Sequence, residues 1–130
     1  MPAFLAPHGD RIYAAFRIVT GFLFTCHGAQ KVFGAFGGGG PGEMPIAMFW
    51  TAALIELMGG LFVMIGFLTS WAAFLCSGLM AVAYFIAHQP NALFPIENRG
   101  ELAALYSFAF LLIAAKGPGV WSVGGKRSNG

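Results

Sequence analysis

Charge is what this sequence has least of. Asp, Glu, Lys and Arg make up 9% of its 130 residues, against roughly 25% in an ordinary soluble domain. A surface so thin in charge does not keep a chain dispersed in water. The seven Lys and Arg against five Asp and Glu leave a net charge of +2, too little for a nucleic-acid footprint, and no basic cluster is dense enough to clamp anionic lipid. Cysteine is scarce too. Cys26 and Cys76 form no CxxC and no metal-ligand spacing. On the helices assigned below they fall at different depths, so no disulfide is expected, and both read as small buried apolar residues. No GK[ST] follows the glycines at 37–40 and no strand precedes them, which excludes a phosphate cradle. A small transporter or lipid-handling protein is a third class of reading, whose mark would be an internal inverted repeat, and no clear one is present.

What the chain has instead is hydrocarbon. Hydrophobic residues are 58% of the total, and they gather in four long segments. The expected architecture is an all-α, integral membrane, antiparallel four-helix bundle: one domain over 1–130, with helices at 12–33, 45–68, 70–88 and 101–116. The first is about the length that crosses a ~30 Å hydrocarbon core. A signal peptide is disfavoured there, because polar residues interrupt the run and no small-x-small cleavage site follows. Residues 1–10, with two prolines and Gly9, read as a short non-helical lead or an interfacial segment, with Asp10 a candidate cap. The run FGGGGPGE from Phe36 to Glu43 breaks the helix and reads as a connector. Pro45 opens the second segment. Thr69 and Ser70 make a connection so short that its flanking helices must be antiparallel neighbours. The stretch 89–100, with Pro90 and Pro95, reads as an ordered loop or re-entrant element. Gly117-Pro118-Gly119 stops the fourth segment, which is short for a span. Arg11, Lys116, Lys126 and Arg127 flank one side, with Arg17 just inside it, and Lys31 and Arg99 flank the other. By the positive-inside rule both termini are cytoplasmic, in a bacterial inner membrane.

Polar side chains inside such segments are costly and mark sites. His27, Gln30 and Lys31 are spaced i, i+3, i+4 and share one helical face. Arg17, Thr20, Phe24, His27 and Lys31 continue it as one bundle-facing seam, and Ser77, Ala81, Tyr84 and His88 make another. Glu56 interrupts the second segment beside Gly59 and Gly60, small residues that let another backbone come close. With alternating helix directions, His27, Gln30, Lys31, Glu56, His88 and Glu101 converge toward the outer end. These six are the candidates for ligand binding or proton transfer, and Arg17 and Arg99 for structural ion pairing. A carboxylate, two imidazoles and surrounding aromatics suit a small amphipathic ligand such as a quinone or a lipid. The same groups could equally be interhelical glue, with Glu56 paired to a base on the first helix and Lys31 snorkelling. Two histidines on different helices could in principle ligate haem, but nothing else marks them, and no spacing supports a metal.

The motifs have a familiar pattern. His27-Gly28-Ala29-Gln30-Lys31-Val32-Phe33-Gly34 with Phe36-Gly37-Gly38 resembles the first-helix signature of the DoxX family. Glu56-Leu57-Met58-Gly59-Gly60 and Gly66-Phe67-Leu68-Thr69 resemble its second, and His88 the histidine that ends its third helix. Gly100-Glu101-Leu102-Ala103-Ala104-Leu105-Tyr106 and Gly117-Pro118-Gly119-Val120-Trp121-Ser122 resemble its C-terminal pattern. Val123 and Gly124 stand where family members often carry an acid. The resemblance implies a four-helix inner-membrane protein. The family takes its name from a small subunit associated with quinone-linked thiosulfate oxidation, with relatives in membrane oxidoreductase assemblies linked to thiol and oxidative-stress balance. Two functions follow as expectations. One is a membrane subunit of a quinone-linked oxidoreductase, with no redox centre of its own, a quinone as ligand and a protein partner supplying electrons. The other is an accessory or scaffold subunit that docks a larger respiratory or photosynthetic complex.

Overall fold

The computed structural model describes residues 2–124, which are mostly helical, with no strand among them. Helix α1 (Gly9–Phe33) follows a 3-10 turn at Ala6–His8. The second half of the lead, from Ala6, is therefore helical, while residues 3–5 form a turn. Pro7 sits in the first turn of the 3-10 segment, where its missing N–H costs nothing. Asp10 is consequently inside the first turn of α1 and makes no cap bond; its charge complements the helix dipole instead. Gly34, in the left-handed conformation at φ 68°, ends α1 as a glycine after a helix usually does.

Helix α2 (Ile46–Ile65) contains a π turn at Ile55–Gly59. It ends three residues earlier than hydropathy suggests, because Gly66 adopts φ 80° and Leu68 φ 49°. The turn to the next helix is thus 66–68, not Thr69-Ser70. Helix α3 (Thr69–Ala83) runs on through a second π turn at Tyr84–His88 and a 3-10 turn at Gln89–Asn91. A single short turn, α4 (Pro95–Asn98), lies in the following loop, and α5 is Glu101–Lys116. The stretches Ala6–Phe33, Ile46–Ile65 and Thr69–Asn91 are long and apolar enough to cross a membrane. The 16 residues of α5 rise only about 24 Å. Lys126 and Arg127, used above for orientation, lie outside the described residues.

Two helix pairs make the body. In the first, α1 lies along α2 through small residues. A Cβ on Gly21 would come within 2.6 Å of the Met64 nitrogen, and one on Gly60 within 2.7 Å of the Thr25 nitrogen. Such close approach lets dispersion and packing hold helices together where lipid offers no hydrophobic drive. Gly59 faces the other way, against Cys76 of α3. In the second pair, α3 packs on α5 through a reciprocal clasp: Ser77 Oγ donates to the Ser107 carbonyl at 2.8 Å, and Ser107 Oγ donates to the Ser77 carbonyl at 3.1 Å. Phe24, Val63, Cys76, Tyr106, Phe110 and Ile113 form the buried centre between the pairs. Cys26 and Cys76 are both free thiols. Outside, Phe22, Trp71, Phe74, Leu105 and Phe108 are all more than half exposed, a surface that would aggregate in water and belongs in acyl chains.

One end of the molecule is closed by Arg17, which is fully buried. Its expected role was ion pairing, but its partners are backbone carbonyls. Nε donates to Val63 at 3.0 Å, Nη1 to Pro118 and to Val120 at 3.0 Å, and Nη2 to Trp121 at 2.6 Å and Met64 at 3.5 Å. Tyr13 adds a bond from its hydroxyl to the Gly117 carbonyl at 2.6 Å. The start of α1, the end of α2 and the chain after α5 therefore meet at one end. Val123 and Gly124, where an acid is often found, contribute their N–H groups to the Ile65 and Gly66 carbonyls at 2.9 and 3.0 Å.

Candidate functional site

The opposite end is built around Glu56. Glu56 lies ten residues into α2, about 15 Å from its start, inside the π turn and only 4% exposed. A π turn inserts an extra residue and re-aims the side chains that follow, which is why such turns recur at functional sites. Gly28 of α1 packs directly on that turn: a Cβ there would lie 2.6 Å from the Leu57 Cα. Only glycine permits the approach. It brings Lys31, one helical turn farther along α1, onto the carboxylate, with Nζ to Oε1 at 2.7 Å. This is the ion pair among the described residues, and it joins α1 to α2 at the point where the helices are most polar.

His88 comes from the second π turn. Its Nδ1 lies 3.1 Å from the Asn98 carbonyl. A carbonyl can only accept, so Nδ1 carries the hydrogen and Nε2 is left as the acceptor of the neutral ring. Asn98 is itself 2% exposed and fully engaged. Its amide donates to the Tyr84 hydroxyl and the Ala92 carbonyl, both at 3.1 Å, and its Oδ1 accepts from the Gly100 N–H at 2.8 Å. The loop between α3 and α5 is therefore ordered, and it sets the His88 tautomer and the place of Arg99, which takes φ 64°.

His27, Lys31, Glu56, His88, Arg99 and Tyr106 line one cavity of about 320 Å³. The size suits a small ring system with substituents. Its floor is aromatic: Tyr106 meets His27 edge-on at 6.0 Å between centroids and Phe24 at 5.2 Å. Lys31, Arg99 and the Tyr106 hydroxyl can donate; Glu56 and His88 Nε2 can accept. With Lys31 offsetting Glu56, Arg99 leaves the rim with one excess positive charge.

Not every expected residue is here. Gln30 turns to the glycine-rich connector and donates to the Phe36 carbonyl at 3.4 Å. Glu101 is exposed, beside Pro95, Ala104 and Phe108 at a shallow surface depression, in the first turn of α5 where a negative charge favours the helix dipole. Arg17 is at the far end. Arg99 was expected in an ion pair and instead lines the cavity. Tyr106 was not singled out from the sequence. The signal was present in the buried spacing 3, 4, 3 of Ala103, Tyr106, Phe110 and Ile113, which gives α5 an inward stripe. Among the described residues no three His, Cys, Asp or Glu side chains form a group that could hold a metal ion.

Comparison with known proteins places this geometry in a family. Residues 12–89 match DoxX, a stretch that includes His27, Lys31, Glu56 and His88 but stops short of Arg99 and Tyr106. An "Uncharacterized protein" of Haemophilus influenzae is 39% identical over 118 residues, which cover 87% of this chain and 88% of that one. No solved structure matches.

Proposed function

The chain belongs to the DoxX family of membrane proteins, and we propose that it serves as the membrane subunit of a quinone-linked oxidoreductase system, holding the quinone or quinol head in the polar cavity. The observation that carries this is the convergence of His27, Lys31, Glu56, His88, Arg99 and Tyr106 on one cavity in a chain that has few polar groups to spend. A quinone needs donors at its two carbonyl oxygens, and a quinol needs acceptors for its two hydroxyls. Lys31, Arg99 and Tyr106 meet the first need. His88 Nε2 and Glu56 meet the second. Reduction takes two electrons and two protons, and oxidation returns them. A partner subunit exchanges the electrons, while Glu56 and the imidazoles take up or release protons at the head. Four passes with both termini on the cytoplasmic side of the inner membrane put the cavity near the outer face.

Titration of the purified protein with a water-soluble quinone, read by tryptophan quenching, tests this. Saturable binding is expected, weakened about tenfold by His27→Phe or His88→Gln, the cost of one good polar contact at ~1.4 kcal/mol. Binding that never saturates, or that both variants leave unchanged, overturns the proposal.

A second role is favoured by the Lys31–Glu56 pair at 2.7 Å, which already satisfies both charges, and by the broad apolar exterior. Here the polar network holds the bundle and the exterior docks a larger membrane complex. An apolar replacement of the pair that leaves the complex assembled but stops electron transfer favours the quinone site. Loss of the complex favours the scaffold.

A further inference from the structure

Three cavities meet along the seam between α2 and α3. The polar cavity shares Ala52 and Leu79 with an apolar one of about 530 Å³. That cavity in turn shares Ile55 and Leu75 with a third, of about 360 Å³, reaching Phe62 and Trp71. The two apolar cavities form one trough, and Ala52 and Leu79 stand between it and the polar cavity. From Ala47 to Phe62 it follows α2 for fifteen residues, about 22 Å at 1.5 Å per residue. It passes the level of Glu56, which belongs to the polar cavity beyond Ala52, and its own lining is apolar apart from Thr51.

Gly78 lies on its wall. A mid-helix glycine weakens a helix by about 1 kcal/mol relative to alanine, so its presence wants a reason. For Gly21, Gly28, Gly59 and Gly60 the reason is a neighbouring element that would lie closer than 3.0 Å to an added Cβ. Of the glycines in the interior of α1, α2 and α3, Gly78 alone has nothing within 4 Å of that position. Its space faces the trough rather than another part of the chain. Ala47, Ala52 and Gly78 keep the trough open, where larger residues would close it.

Resting on the quinone site proposed above, we infer that this trough is the seat of the ligand's isoprenoid tail and its way in from the bilayer. The natural substrate is therefore a long-tailed membrane quinone, not a small soluble one. The head enters between α2 and α3, passes Ala52 and Leu79, and stops among Glu56, Lys31 and His88, with the tail lying back along Ile55 and Leu75. The wall that the trough shares with the head site at Ala52 and Leu79 commits it to this occupant. Hydrocarbon gains little by leaving lipid for protein, so the tail contributes through fit, and blocking the trough expels it.

The test is Gly78→Phe, which fills the trough without touching the polar cavity and replaces glycine by a better helix former. Two probes are titrated against wild type and variant: a tail-less benzoquinone, and the same head with a chain of several isoprene units. The expected result is about a tenfold loss of affinity for the tailed probe and no change for the tail-less one. Equal effects on both probes, or no effect on either, overturn the trough while leaving the head site standing. So does a change in oligomeric state with unchanged tail dependence, which would assign the trough to a second copy of the chain. Failure of wild type to bind the tail-less probe overturns the head site itself, and this inference with it.

Discussion

Arg17→Met is expected to cost most of the stability of the folded protein. All five guanidinium N–H groups are used, on the carbonyls of Val63, Met64, Pro118, Val120 and Trp121, and no water-exposed surface remains on the residue. A hydrogen bond to a charged group is worth about 1.5–3 kcal/mol, and a buried acceptor left without a donor costs about 1–3 kcal/mol. Losing even three of the five bonds removes about 5 kcal/mol, comparable to the whole net stability of many domains. Arg17→Lys recovers only part, because an ammonium is a point donor with three hydrogens and cannot span a fork of five acceptors. Thermal unfolding in detergent should rank wild type above Arg17→Lys above Arg17→Met. Ligand affinity in the Lys variant should stay near normal, since Arg17 sits fourteen residues, about 21 Å along α1, from Lys31. A methionine variant that melts with wild type would show that the carbonyl cage is not what closes that end.

The second large effect is at the other end. Glu56→Leu leaves the Lys31 ammonium facing a cavity without its counter-ion, and Lys31→Met strands a carboxylate that is 5% exposed. Breaking a buried pair costs about 3–5 kcal/mol; with Lys31 26% exposed, about 2–3 kcal/mol is expected for Glu56→Leu, because water relieves part of the stranded charge. Lys31→Met should cost more, since the stranded partner is the deeper one. The double variant Lys31→Met/Glu56→Leu removes both charges and fills the site with similar volume, and should be more stable than either single variant. A double-mutant cycle in denaturant measures this directly. The same double variant should bind no quinone head. Restored stability with lost binding separates a functional pair from a purely structural one; restored stability with intact binding assigns the pair to the scaffold role.

Much of this was legible from residue types and spacing. Hydropathy found the helical segments, and the i, i+3, i+4 polar face of α1 pointed to a buried partner, which Glu56 supplies. What was not legible shares a physical cause: backbone conformation has little signature in side-chain pattern. The π turns at Ile55–Gly59 and Tyr84–His88 are shifts of hydrogen-bond register within runs that read as ordinary helix, yet they lie at Glu56 and His88. Arg17 was assigned a carboxylate partner because sequence displays carboxylates and does not display free carbonyls; the carbonyls come from the last turn of α2 and the glycine-proline segment after α5. Glu101 and Gln30 were placed in the cluster by depth along their helices. Depth fixes the level of a side chain, and rotation about the helix decides whether it faces in. Tyr106 carried the reverse error: its inward stripe was visible, but an apolar stripe on a helix in lipid gives no separate mark to the one residue with a hydroxyl.

The central claim is that this small membrane protein gathers its few polar side chains around a head-group site. A density map of the protein purified in its native lipids tests it most directly. The account predicts a flat, ring-sized feature within hydrogen-bonding distance of His88 Nε2 and of Lys31 or Arg99, with elongated density leaving it past Ala52 and Leu79. A cavity collapsed under Leu79 and Met80, with His27 and His88 turned toward acyl chains, would contradict it.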